Sequence, residues 1–202
     1  MLVSYLRPSN IDGAKHSWAI LSLLVKRLRQ QWPTVKIIFR GDSGFCRHRI
    51  LSWCERNNVD FVVGLAGNSR LKEKSNDLRI LSEGLYKYTK QKQREFDSFR
   101  YDAKSWSKQR RVIAKAEYSH RGENLRFIVT NLKGNPQRLY DKVYCARGEM
   151  ENRIKEQQMG LLADRTSASY WWANQWRVLL SRLAYILLEH IRSTALKKSE
   201  LA

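Results

Sequence analysis

Acidic residues are in short supply: 19 Asp and Glu stand against 38 Lys and Arg in 202 residues, a formal net charge of +19. Such an imbalance says nothing about fold but favours a polyanionic partner, and DNA, RNA or an anionic membrane would each satisfy it on charge alone. Long apolar runs are also missing. No stretch reaches the roughly 18 residues of a membrane-spanning helix. The opening Met1-Leu2-Val3-Ser4-Tyr5-Leu6-Arg7-Pro8 is too short an apolar run for a signal peptide and lacks a basic lead. The expectation is a cytoplasmic protein with no membrane partner. The three cysteines, Cys46, Cys54 and Cys145, are odd in number and lack zinc-site spacing, so they read as reduced and structural. Internal repeats and low-complexity linkers are absent. What is present suffices for a core: 43% of residues are hydrophobic, enough for one domain or one domain with a small insert.

Leu2 to Leu6 reads as a short strand stopped by Pro8, and Ser9 to Asp12 as a helix cap. Ala14, Trp18, Leu21, Val25, Leu28 and Trp32 recur at steps of three and four, which predicts an amphipathic helix ended by Pro33. Val35 to Arg40 suits a buried strand, Arg47 to Asn57 a helix, and Val59 to Leu65 another strand; this alternation predicts α/β architecture with parallel neighbours. After Gly67 the character changes. Asn68 to Arg94 is polar and basic with helical spacing in places, and Phe96 to Tyr101, Arg111 to Tyr118 and Leu125 to Thr130 look like antiparallel strands, the last two joined by a turn at His120–Asn124. Residues 67–133 are therefore expected to be a basic β-rich insertion, flanked by 1–66 and 134–202 as the α/β domain. Its Lys87–Arg94 and Lys108–Lys115 clusters read, with the global charge, as a DNA-facing surface. Helical signal returns from Pro136 to about Gln158. A long helix over Tyr170–Ala195 carries a stripe of Trp172, Trp176, Leu179, Leu183, Ile186 and Leu187 that should pack on the core, although Trp171, Trp172 and Trp176 could instead stack on bases.

Two segments could carry chemistry. In Arg40-Gly41-Asp42-Ser43-Gly44-Phe45 an Asp directly follows a buried strand, where α/β folds place their sites. An Asp that satisfies its own turn backbone is the commoner meaning of such a hexapeptide taken alone. Downstream, Tyr144, Arg147, Glu151, Lys155 and Gln158 would stand on one face of a helix. Taken alone, that face also reads as a solvated one with ordinary ion pairs. Two carboxylates brought from distant segments, in a basic chain, suit divalent metals and phosphate chemistry.

The spacing Tyr144-x2-Arg147-x3-Glu151 resembles the signature of bacterial insertion-sequence transposases with a DDE catalytic domain. Arg40-Gly41-Asp42-Ser43-Gly44-Phe45 is similar to the second-Asp segment of their group 1 type. Leu161-Leu162-Ala163-Asp164-Arg165-Thr166-Ser167 and Ala173-Asn174-Gln175-x-Arg177 resemble that group's tail, so the likeness runs from the first residues to about Leu188. The resemblance implies an RNase H-like fold with a β-rich insertion before the Glu-bearing helix, and a nucleoid-associated DNA-transposition enzyme. It implies that Asp42 and Glu151 are catalytic metal ligands for two Mg²⁺ (or Mn²⁺) ions, which in such enzymes sit about 4 Å apart and stabilise attacking and leaving oxygens. It implies that Tyr144, Arg147, Lys155 and Gln158 contact DNA. The Arg147 guanidinium could hold two phosphate oxygens at once. The partners implied are the element's terminal inverted repeats, target DNA and a second copy of the chain in a synaptic complex.

Two departures stand out. Such a site needs a first Asp on an earlier strand, yet the only acid before Asp42 is Asp12, which reads as a helix cap. The expectation is a carboxy-terminal fragment that lacks the first two strands and the first catalytic Asp, and is weak or inactive alone. Gln158 stands where related transposases often carry Lys. A noncatalytic DNA-binding remnant that competes with the full-length enzyme is the alternative. An RNA-binding basic protein would explain the charge but not Asp42 or the Tyr-Arg-Glu spacing.

Overall fold

The computed structural model describes residues 3–196. They divide into two compact units: Asp12–Arg147, and the residues up to Ile11 together with those from Gly148 onward.

The first unit is built on a five-stranded mixed sheet. β1 (Ile38–Gly41) pairs in parallel with β2 (Asp60–Leu65), as the strand-helix-strand spacing predicts. β5 (Gly122–Thr130) runs antiparallel to β2, β4 (Arg110–Ser119) antiparallel to β5, and β3 (Gln93–Tyr101) antiparallel to β4. The order β1-β2-β5-β4-β3 makes β1 an edge strand, and the three antiparallel strands extend the parallel pair. Five helices accompany the sheet: α1 (Ser17–Gln31), α2 (His48–Arg56), α3 (Ser69–Lys74), α4 (Asn76–Thr89) and the single turn α5 (Pro136–Arg138).

The two-residue period of the strands sorts the core onto two faces. Phe61, Val63, Val112, Ala114, Phe127 and Val129 point one way and pack with Leu51 and Cys54 of α2, Val25 of α1 and Leu71 of α3. Val62, Ile113 and Ile128 point the other way and pack beneath Leu139 and Tyr140. α1 starts at Ser17, later than the apolar stripe predicts. Asp12 Oδ1 accepts from Ala14 N at 2.9 Å and Asp12 Oδ2 from Arg47 Nη2 at 2.7 Å, which holds the preceding residues in turns.

The second unit holds α6 (Gly148–Leu161) and α7 (Trp171–Thr194). The strand expected at Leu2–Leu6 does not form over its described residues. Its backbone groups are claimed by side chains instead: Gln175 takes Leu6 N (2.8 Å) and gives to Ser4 O (3.1 Å), and Trp171 Nε1 gives to Leu6 O. The expected core face of α7 is also corrected. Trp172 and Trp176 are 76% and 63% exposed, and Leu183 and Leu187 are exposed too. The buried face carries Asn174, Gln175, Ser181 and Tyr185, because these side chains find polar partners there. Gln157 of α6 gives to Ser181 Oγ, Tyr185 Oη gives to Glu156, and Arg153 pairs with Glu189. Apolar periodicity cannot anticipate a face chosen by hydrogen bonding. No helix among the described residues is long and apolar enough to cross a membrane.

Candidate active site

β1 ends at Gly41, and the chain turns at once into a short 3₁₀ turn, Ser43–Phe45. Asp42 caps this turn: its Oδ1 accepts from Gly44 N at 2.8 Å. The turn and the parallel neighbour β2 put the Asp42 carboxylate at the carboxyl end of the parallel pair. A cleft of about 300 Å³ opens there, and Asp42, Ser43, Gly64, Arg126, Tyr140 and Tyr144 contribute to its walls.

Tyr144 reaches this cleft from the far part of the unit. It closes a π-helix over Leu139–Tyr144, a rare geometry often found at functional sites. Several contacts fix that segment against the sheet. Arg94 pairs with Asp141, Lys115 lies 5.6 Å from the Tyr140 ring centre, and Tyr140 packs on Phe96 (5.6 Å) and Tyr144 (5.5 Å). At the end of the segment, Arg40 Nη1 donates to Val143 O at 3.1 Å, which ties the strand leading to Asp42 directly to the residue before Tyr144. Burial pushes the Tyr140 phenol up to about 12, so it stays a neutral hydroxyl well into alkaline pH.

Gly64 makes this convergence possible. A Cβ on Gly64 would lie 2.8 Å from Tyr144 Oη and 2.9 Å from Ser43 N, closer than real Cβ contacts allow. Sequence reading passed over Gly64, although its signal was present: a glycine inside the β-branched run Val62-Val63-Gly64-Leu65 marks a place where another group approaches the strand closely. Arg40 and Tyr140 were likewise missed as site-shaping residues.

The remaining candidates lie elsewhere in the chain. Glu151, Lys155 and Gln158 are exposed on α6, in the other compact unit. Arg147 ends a 3₁₀ turn, Cys145–Arg147; its side chain lies outside the described residues. The helical stretch is broken into α5, the π-helix, the 3₁₀ turn and α6, so Tyr144 and Glu151 are not successive positions of one α-helix. Among the described residues no group of three or more His, Cys, Asp or Glu gathers as a metal cage. Asp42 supplies one hard oxygen donor to the cleft, of the kind Mg²⁺ prefers.

The tail segments have a structural meaning. Asn174 gives to Ala168 O (2.7 Å) and accepts from Ala168 N (3.0 Å), and Arg177 gives to Ser167 Oγ (3.0 Å). With Gln175 holding Ser4 and Leu6, the Ala173-Asn174-Gln175-x-Arg177 segment pins two irregular stretches to the start of α7.

A model of the family described as transposase DDE domain, group 1, matches residues 1–202. The chain belongs to that family. The mixed α/β sheet with its flanking helices is consistent with the RNase H-like fold of a DDE domain. Transposases of this family act on DNA and generally use divalent metal ions. A search of curated proteins found no match.

Proposed function

We propose that this chain is a transposase polypeptide whose Asp42 and Glu151 serve metal-dependent cleavage and transfer of DNA strands at element ends. The observation that carries this reading is the convergence of Asp42 and Tyr144 on one cleft against Gly64. A carboxylate beside phenol and guanidinium donors is the composition a phosphodiester site needs. Mg²⁺ or Mn²⁺ held by the carboxylates of Asp42 and Glu151 would supply Lewis acidity toward the phosphodiester. The chain's own part is binding and orientation. Tyr144 would donate to a phosphate oxygen, Arg40 would hold Tyr144 in place through Val143, and Arg147, Lys155 and Gln158 would grip the DNA beyond. Residues 1–66 and 134–202 would form the catalytic portion, with 67–133 as its basic insertion. The proteins would act as a homodimer, at inverted repeats, in the cytoplasm.

Asp12 favours a second reading. It is the only acid ahead of Asp42, and its carboxylate is engaged with Ala14 N and Arg47 as a cap. With that carboxylate committed to its own turn, the chain would bind DNA through its basic surface without cutting it, as a noncatalytic competitor of an active transposase.

One assay tests both readings: nicking of a supercoiled plasmid carrying the element ends, with Mg²⁺ or Mn²⁺, alongside DNA affinity. The catalytic reading expects metal-dependent nicking that Asp42→Asn and Glu151→Gln each abolish without loss of affinity. Tight binding with no nicking selects the competitor. Nicking that survives both substitutions overturns the assignment of these residues.

A further inference from the structure

A second cleft, of about 430 Å³, opens where β4 begins and β5 ends, and its lining holds five cationic side chains, Arg100, Lys108, Arg110, Arg111 and Lys133, but one carboxylate, Glu55. Residues 125–127 of β5 line the Asp42 cleft and residues 130–134 this one. At about 3.3 Å per residue the two are roughly 15 Å apart along the strand.

The charges of this cleft are held at a cost. Arg100 stands directly opposite Arg111 in the β3–β4 register, and like charges opposite one another destabilise a sheet. Burial and the nearby Arg100 lower the Arg111 pKa. Glu55 is already shared between Lys108 (3.2 Å) and Arg110 (2.8 Å). Among the described residues no carboxylate pairs with Arg100, Arg111 or Lys133. Arg110 is 2% exposed, and although its Nε and Nη2 reach Glu55 and Ser52, its Nη1 has no hydrogen-bond partner. The wall is built, too: Arg111 gives to Leu132 O (3.0 Å), Ser98 Oγ (3.1 Å) and Gly134 O (2.8 Å), which shapes the 132–134 loop, where Gly134 has φ +123°. A fold that concentrates positive charge against its own stability leaves the counter-charge to a ligand.

We propose that this cleft is an anion site for a phosphodiester of the DNA backbone, separate from the Asp42 cleft. The choice of DNA over free phosphate rests on the DNA-binding reading above. Its role is to hold a phosphate of a duplex segment away from the reacting bond, as an anchor that fixes register.

The test uses the full chain and a fluorescent duplex of arbitrary sequence, with affinity read by anisotropy across a salt series. Arg100 and Lys133 are exposed and Arg100 faces Arg111, so Arg100→Gln/Lys133→Gln should not lower the unfolding midpoint. Affinity should fall about tenfold, and the slope of log K against log salt should shrink by about 0.9, the value for one phosphate that is no longer neutralised. Lys26→Gln/Lys74→Gln, which removes equal charge from exposed positions on α1 and α3, should change affinity less than about twofold. Equal losses in the two variants would show a general charge effect and overturn the site. An unchanged affinity in the cleft variant would overturn the site while leaving DNA binding intact. A wild-type chain that binds no duplex would remove both. Inorganic phosphate at matched ionic strength separates the sources: if it stabilises the wild type through Arg100 and Lys133 while duplex affinity ignores them, the ligand is free phosphate and the backbone assignment falls.

Discussion

Gly64 is the residue on which the candidate active site turns. An added methyl would meet Tyr144 Oη, which can swing away, and Ser43 N, which is backbone and cannot move cheaply. Gly64→Ala should therefore cost about 1–3 kcal/mol of stability, the usual range for overpacking, read from urea unfolding. Glu117 offers a pH readout. Burial alone would raise its pKa, but hydrogen bonds from Lys115, Lys92 and Asn124 outweigh that and lower it to about 2. A carboxylate depressed in the folded state contributes stability that is fully present above its unfolded pKa of about 4.3 and is lost as pH falls toward 2. Glu117→Gln should lower stability by roughly 1–3 kcal/mol at pH 7, the range for hydrogen bonds to a charged group, and the difference from wild type should shrink as pH falls through about 2; melting curves across that range check it. The thiols should separate as well. Burial raises all three thiols, Cys46 to about 11 and Cys54 to about 12, with Asp141 adding to the rise at Cys145, but Cys145 alone is exposed. Titration with a thiol-disulfide reagent at pH 8 should show one fast cysteine, and Cys145→Ser should abolish that phase.

Among the elements, α7 depends on the Asn174 clamp at its start. Asn174→Ala leaves the Ala168 N–H and C=O without their partner and should cost about 1–3 kcal/mol, measured by chemical denaturation. The parallel pair β1–β2 was legible in the sequence because two β-branched runs are each closed by glycine and separated by a helix-period stretch. The antiparallel strands were legible as runs of β-branched and aromatic residues, with ends up to three residues off. Three features were not. The segment around Ser4–Leu6 has strand composition, but Gln175 and Trp171 answer its backbone. The apolar stripe of α7 is real, yet hydrogen-bond partners select the opposite face. A period of three to four residues cannot separate an α-helix from a π-helix followed by a 3₁₀ turn, so the change of helix type over Leu139–Arg147 was not foreseen. Asp42 was found from its position after a strand, whereas Gly64 and Arg40 act through shape and a backbone carbonyl, which no motif announces.

For the molecule as a whole, the charge of +19 sets how it meets DNA. Duplex affinity should fall by orders of magnitude between about 50 and 200 mM salt, as expected when many phosphates exchange counterions for Lys and Arg, and a flat salt profile in an anisotropy titration would contradict that. The overall charge, the α/β plan and the place of Asp42 at the end of a strand could all be read from residue order. The Lys108–Lys115 cluster could be read too, but not that strand register brings Arg100 and Lys133 to it to line one cleft. The packing of Tyr144 over Gly64 has a consequence for descent. Two positions so distant in the gene are bound to a joint history: lineages that keep the tyrosine should keep the glycine, and any that gain a side chain at 64 should show a smaller residue at 144.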